Sequence, residues 1–192
     1  MNKKGVIKIG LDLDGVLAQH SLGGFWFKLR KLKEKLLKKT HSSSYYFPKT
    51  IIEKIAWVAI DWFRHPQEKE QFFLFTQNKR LKFYLITGRF NFLEDITLKW
   101  LRKNKLITCF EKVLVNTQDL DPTEFKAKKI NQLSLDFYID DDLETISDLT
   151  KKTPINFFWL NSLNFERLNA PHPRIIIVRS LIEALRQIEA NS

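Results

Sequence analysis

The sequence predicts an α/β fold, a doubly wound parallel sheet with a helical cap inserted after the first strand. Three observations point to it. An apolar run over residues 6–12 stops abruptly at two carboxylates, Asp12 and Asp14. From residue 81 onward, short apolar runs alternate with amphipathic helical stretches, the pattern of a parallel sheet with right-handed crossovers. Between them, residues 19–80 carry helical periodicity, and a length of 192 residues suits one domain with such an insertion. The expected division is a core made of 1–18 and 81–192 and a cap made of 19–80.

The elements follow in order. Residues 6–12 read as a buried strand because the run is apolar and short. Side chains alternate along a strand, so Asp12 and Asp14 would share a face if it stayed straight. Gly15 allows the chain to turn out of the sheet instead. Phe25, Leu29, Leu32 and Leu36 recur at i, i+4, i+7 and i+11, an apolar stripe with lysines opposite. His41-Ser-Ser-Ser44 and Pro48 break that helix. A second helix is expected over 50–64, with Ile51, Ile55, Val58 and Trp62 on one side. Thr50, three residues before Glu53, forms a capping-box pattern at its start. A strand over 81–86 ends at Thr87-Gly88, and a helix over 91–104 carries Phe92, Ile96 and Trp100. Val113-Leu-Val115 is a short strand, and a helix begins near Thr123. The strand 135–139 runs into Asp140-Asp-Asp142, and another helix follows it. Strands at 155–159 and 175–178 and a helix over 180–189 complete the pattern.

Composition narrows the function classes. A hydrophobic content of 44% supplies a core and excludes a disordered chain. One cysteine, Cys109, excludes an internal disulfide and a cysteine-based zinc site, and it reads as a small buried hydrophobe. Asp12 and Asp14 interrupt the early apolar run, and no stretch nears the roughly 20 apolar residues that span a bilayer. The expectation is a cytoplasmic protein. The net charge of +10 points to anionic partners. Seven basic residues, Lys28, Arg30, Lys31, Lys33, Lys35, Lys38 and Lys39, face one acid, Glu34. This run is either a solvated helix face or a contact for phosphate, nucleic acid or an anionic membrane. Trp57, Trp62 and Phe63 read as core residues at helical spacing. His20, His41, His65 and His172 are scattered and lack metal-ligand spacing.

Three strand ends terminate in polar residues: Asp12 with Asp14, Thr87, and Asp140 to Asp142. A parallel sheet brings such ends to one edge, where open α/β sheets place their sites. Two acidic clusters together need a cation. Oxygen ligands without cysteine or histidine suit a hard ion, so magnesium is the natural candidate. Asp12-Leu13-Asp14-Gly15-Val16 resembles motif I of the haloacid dehalogenase-like (HAD) hydrolases. Tyr84-Leu-Ile-Thr87, extended by Gly88-Arg89, is similar to motif II of that family. Phe137-Tyr-Ile-Asp-Asp-Asp142 is similar to motif IV. Lys126 resembles the motif III lysine ahead of it, with Lys128 and Lys129 as alternatives. The tail Ile177-Val-Arg-Ser-Leu-Ile-Glu183 is faintly similar to the 5′(3′)-deoxyribonucleotidase-like branch, with Leu181 where that branch has a tryptophan.

The resemblance implies a Rossmann-like fold and a phosphatase of small phosphomonoesters, a nucleotide among the options. It implies that Asp12 is a nucleophile forming an aspartyl-phosphate and that Asp14 is the acid and base. Thr87 and the Gly88 amide would hold phosphoryl oxygens, and Lys126 would neutralise charge on the transferred group. Asp12, Asp140, Asp141 and the Asp14 carbonyl would bind magnesium, and at least one of Asp140 to Asp142 would be only a helix-start acid. Arg89 reads as a surface ion-pair partner, with a grip on a second substrate anion as the alternative. Asp14 argues against a dehalogenase, whose leaving group needs no proton. The competing reading is a nucleic-acid or membrane-surface binder on this fold, working through the basic run over 28–39.

Overall fold

The strand Ile7–Leu11 (β1) has a parallel neighbour on each side, the environment its mostly apolar sequence requires. The structure is a computed structural model that describes residues 5–20, 47–161 and 170–190. The stripe of Phe25, Leu29, Leu32 and Leu36 and the basic run from Lys28 to Lys39 lie outside the described residues.

Beyond β1, Ala18–His20 (β2) pairs antiparallel with Arg64–Pro66 (β3). The helix Ile51–Asp61 (α1) precedes β3, and Lys69–Thr76 (α2) follows it. Then come Leu81–Phe90 (β4), Glu94–Lys103 (α3), Lys112–Asn116 (β5), Pro122–Leu133 (α4) and Phe137–Asp140 (β6). Leu143–Lys152 (α5), Asn156–Leu160 (β7), Ile175–Val178 (β8) and Leu181–Ala190 (α6) follow. The main sheet has six parallel strands in the order β5-β4-β1-β6-β7-β8. The chain moves outward from β1 through β4 to β5, then crosses back to β6 and outward to β8. That reversal opens a crevice beyond the C-terminal ends of β4, β1 and β6, where such folds bind ligands.

Alternation along the strands builds two cores. Ile9, Leu11, Phe83 and Leu85 face one side with α2 and α6, where Phe72, Leu181 and Leu185 close the layer. Ile86, Tyr138 and Phe157 face the other side with α4 and α5, where Phe125, Ile130, Ile146 and Leu149 meet them. On this second face Tyr138 reaches from β6 across β1 to β4, and its hydroxyl donates to the Ile86 carbonyl at 2.8 Å. Gly10 makes that passage possible. A β-carbon there would sit 2.6 Å from Tyr138 Cδ2 and 2.6 Å from Leu135 Cδ1.

The six strands lie where the alternation pattern puts them, and the capping box forms. Thr50 N–H donates to Glu53 Oε2 at 3.0 Å, and Glu53 N–H donates to Thr50 Oγ1 at 3.2 Å. Three expectations need correction. Most of the expected core side of α1 faces outward: Ile51, Ile55 and, just past the helix, Trp62 are 77%, 61% and 80% exposed, and Phe63 is exposed too, while Val58 is half-buried. The helix docks from its other side, where Trp57 meets Phe90 edge-on at 5.5 Å. Residues 69–76 were expected in the insertion, yet α2 belongs to the sheet's helical layer. Phe72 is inaccessible there and packs on Phe83 at 5.1 Å between ring centroids. Cys109 is half-buried rather than buried. Among the described residues no helix is long and apolar enough to cross a membrane.

The Gly10 passage yields a test. Gly10→Ala should destabilise the fold by about 1–3 kcal/mol through overpacking, which outweighs the few tenths gained by restricting the unfolded chain. Urea denaturation measures it, and an unchanged or higher midpoint would show that Tyr138 does not depend on the missing side chain.

Candidate active site

The backbone ladder delivers the first acid. Asp12 N–H donates to the Ile139 carbonyl at 3.0 Å, so Asp12 sits one step beyond β1 and beside Asp140 at the end of β6. The chain then turns tightly: Leu17 and Ala18 N–H donate to the Leu13 carbonyl at 3.0 and 2.9 Å, and Gly15 N–H to the Ala18 carbonyl at 2.8 Å. Gly15 adopts φ 76, a left-handed conformation that favours glycine. Its bare side is filled by the Asp141 carboxylate, with which any β-carbon at residue 15 would collide.

Asp12, Asp140 and Asp141 each offer a carboxylate oxygen within 4.8 Å of the others. Among the described residues one buried cation faces them. Lys126 Nζ donates to Asp140 Oδ2 at 2.7 Å and lies 3.4 Å from Asp12 Oδ1. Lys126 stands in the second turn of α4, a helix capped by Asp121, whose carboxylate accepts from the N–H groups of Thr123 and Glu124. Of the three candidate lysines, Lys128 points to solvent and Lys129 reaches Gln132. Asp142 stays outside the cluster. It caps α5, accepting from Glu144 N–H at 3.2 Å and from the Thr145 hydroxyl at 2.8 Å. Thr87 is buried on β4, two residues beyond Leu85, the register partner of Leu11. Gly88 packs against Pro122 at the head of α4.

Charge in this cluster is unbalanced. Burial pushes the Asp12 carboxyl well above the usual range; Lys126 opposes this, and Asp140, Asp14 and Asp141 add to it. Asp140 is raised by burial against the pull of Lys126. Asp141 is exposed on the open side of the cluster, where desolvation, then the charge of Asp140, lifts its carboxyl to about 7. Burial alone would lower Lys126, but Asp12 and Asp140 outweigh it and hold the ammonium well above the lysine range. Asp12 Oδ1 is buried and accepts no hydrogen bond, with the Lys126 ammonium beside it at 3.4 Å. Among the described residues, three carboxylates stand against one ammonium, and one of their buried oxygens lacks a hydrogen bond, an arrangement that fits a divalent cation held by oxygen ligands.

Asp14 turns away from this cluster. Its Oδ1 accepts from Arg64 Nη2 at 2.6 Å, and Arg89 Nη1 lies 3.4 Å from Oδ2. Arg89 is therefore no surface ion-pair partner. It is buried, because Asp61 on α1 binds both its Nη2 and Arg64 Nη2. Sequence reasoning missed Arg64 and Asp61, although their i, i+3 spacing at a helix end was a local sign of pairing. It also missed Tyr138, whose ring lies under Lys126 at 5.8 Å, and Trp159, whose indole N–H donates to the Asp141 carbonyl at 3.0 Å.

Solved structures share this architecture. An L-2-haloacid dehalogenase from Xanthobacter autotrophicus, with chloropropionic acid covalently bound, is 10% identical at a TM-score of 0.65, covering 97% of this chain and 100% of that one. A HAD-type hydrolase of Bacillus subtilis in a magnesium-bound form is 11% identical at a TM-score of 0.63, covering 96% and 99%. A HAD-superfamily hydrolase of subfamily IA from Geobacter sulfurreducens is 14% identical at 0.55, covering 95% and 96%. No protein-family model and no curated protein matches the sequence. The chain has the fold of the haloacid dehalogenase-like hydrolases.

The raised carboxyls predict a linkage between pH and cation. A carboxyl lifted from 3.8 to about 7, as Asp141 is, keeps its proton in the folded state while the unfolded chain has released it. The contribution is present below the unfolded value and is lost as pH rises through the folded one, so the metal-free protein loses stability between about pH 4 and 7. Added magnesium competes with those protons. The rise in Tm that magnesium produces should be small near about pH 5 and grow toward about pH 8. A magnesium-induced rise that is constant across that range would contradict the cluster as a cation site.

Proposed function

We propose that the chain is a magnesium-dependent phosphohydrolase that cleaves a small phosphomonoester through an aspartyl-phosphate on Asp12. The observation that carries this reading is the acid-rich cluster of Asp12, Asp140 and Asp141 around Lys126, with a second acid, Asp14, two residues from Asp12. Asp12, Asp140, Asp141 and the Asp14 carbonyl are the proposed magnesium ligands. A bound magnesium ion would offset the repulsion between a carboxylate and a phosphate dianion.

The residues divide the work. Asp12 supplies the carboxylate that attacks phosphorus. Lys126, between Asp12 and Asp140, offsets charge that builds on the transferred group. The Thr87 hydroxyl and the Gly88 N–H donate to phosphoryl oxygens. Asp14 protonates the departing alkoxide and then takes the proton of the water that cleaves the acyl phosphate, restoring Asp12. A cytoplasmic setting suits this chemistry.

The dehalogenases among the solved structures raise the rival reading, carboxylate attack on a carbon–halogen bond. A halide departs as an anion and needs no proton. Asp14 and the acid cluster would then have no task, which favours phosphoryl transfer.

Asp12→Asn should keep the fold, since the amide is nearly isosteric, and abolish turnover of the best phosphomonoester. Wild-type kcat in that variant, full activity in excess EDTA, or release of chloride from 2-chloropropionate in place of phosphate release would each contradict the proposal. Asp14→Asn should cost about 10²–10⁴-fold on an alkyl phosphate and much less on p-nitrophenyl phosphate, whose leaving group needs little protonation. Equal losses on the two substrates would remove Asp14 from the acid role.

A further inference from the structure

The phosphoryl chemistry leaves two buried arginines beside Asp14 without a task. Arg64 and Arg89 are 8% and 7% exposed. Asp61 bridges them, binding Arg64 Nη2 at 2.8 Å through Oδ1 and Arg89 Nη2 through Oδ2. Asp14 closes the group at 2.6 Å from Arg64 and 3.4 Å from Arg89, and its side chain is the open member at 39% exposure. The donors outnumber the acceptors. Arg64 Nε, Arg64 Nη1 and Arg89 Nε are buried without a hydrogen-bond partner. Burying guanidinium N–H groups unpaired is costly, so a structure that does so is arranged for an acceptor.

The charges point the same way. Among the described residues, two guanidiniums face Asp61 and Asp14 while Asp14 stays among them. If Asp14 turns toward a leaving oxygen, Asp61 is the one acid among the described residues still paired with the two cations. One positive charge is then left beside the reacting centre, in a place shielded from water. A guanidinium fork matches a carboxylate or a phosphate in shape as well as in charge.

We infer that Arg64 and Arg89, held by Asp61, form a subsite for a second anionic group of the substrate, which takes the place of the Asp14 carboxylate. The substrate class is a small phosphomonoester that also carries a carboxylate or a second phosphate. Binding its far end releases Asp14 to the reacting end, so recognition and proton delivery are linked. This rests on the phosphohydrolase reading, and the test separates the two.

Two matched pairs serve as probes with the whole protein and magnesium. Glycerol 3-phosphate against 3-phosphoglycerate isolates a carboxylate. Fructose 6-phosphate against fructose 1,6-bisphosphate isolates a second phosphate. In at least one pair kcat/KM should favour the anionic member tenfold or more, and the pair that shows it identifies the anion. Arg89→Gln and Asp61→Asn should bring that ratio to within twofold, and the ratio does not depend on how much enzyme is folded. Arg89→Lys keeps the charge but not the fork and should lose most of the preference.

Equal kcat/KM within both pairs overturns the subsite and leaves the phosphohydrolase reading intact. A preference undiminished in Arg89→Lys assigns it to long-range attraction by the basic chain and also overturns the subsite. If none of the four esters is turned over, the phosphohydrolase reading fails for this class. Calorimetry on the same pairs then decides the subsite: a tenfold difference in Kd that Arg89→Lys abolishes upholds it, and equal or absent binding overturns it.

Discussion

Three carboxylates crowd the C-terminal ends of β1 and β6 around a single buried ammonium, and that surplus of negative charge is the constraint on which the site depends. A stable fold alone would not assemble it, because two buried carboxylates, Asp12 and Asp140, share one ammonium beside the exposed Asp141, and such crowding raises the free energy of the folded state. Asp12 and Asp140 are thrown together by register, since the ladder pairs Leu11 with Ile139 and both strands end in acid one residue later. Asp141 joins because Gly15 leaves room beside the turn. A hard divalent cation balances the group, which connects the arrangement of the strands to the chemistry proposed for them.

The surroundings fix the cluster without neutralising it. Trp159 holds the Asp141 backbone, and Asp142 is occupied as the cap of α5, so the acidic run separates into cluster members and a structural residue. Tyr138 ties β6 to β4 just before Thr87 and lies beneath Lys126. The passage it needs is the single position in β1 that carries no side chain, Gly10. Asp14 is steadied separately, by arginines from β3 and β4 that Asp61 holds in place. The two acids near the turn thus face different partners. One sits in an electron-rich group suited to a cation and the other among guanidiniums, a division that matches the separate roles of nucleophile and proton carrier.

Much of this was legible in the residues because strand periodicity is local. The six sheet strands and the capping box of Thr50 and Glu53 follow from patterns within a few positions, and the meeting of Asp12 with Asp140 follows from strand ends that a parallel sheet brings to one edge. What escaped was long-range or directional. The stripe of Ile51, Ile55 and Trp62 shows that a helix face is apolar, not what that face meets, and here it meets solvent. The run Phe72-Phe-Leu-Phe75 lacks a clear face, so the attachment of α2 to the sheet was hidden. The sequence puts Lys126 first, with Lys128 and Lys129 as alternatives. Helical rotation of about 100° per residue brings only the first to Asp12 and Asp140. Arg64 reaches Asp14 across 50 residues, and no spacing rule covers such a distance.

The central claim is that the surplus charge at Asp12, Asp140 and Asp141 is completed by one hard divalent cation. Crystals soaked in manganese, which takes the same oxygen ligands and scatters anomalously, test it most directly. The account predicts one strong anomalous peak bonded to carboxylate oxygens of all three residues, absent from Asp140→Asn crystals. No peak at the cluster, or a peak bound elsewhere and unaffected by that substitution, would contradict it.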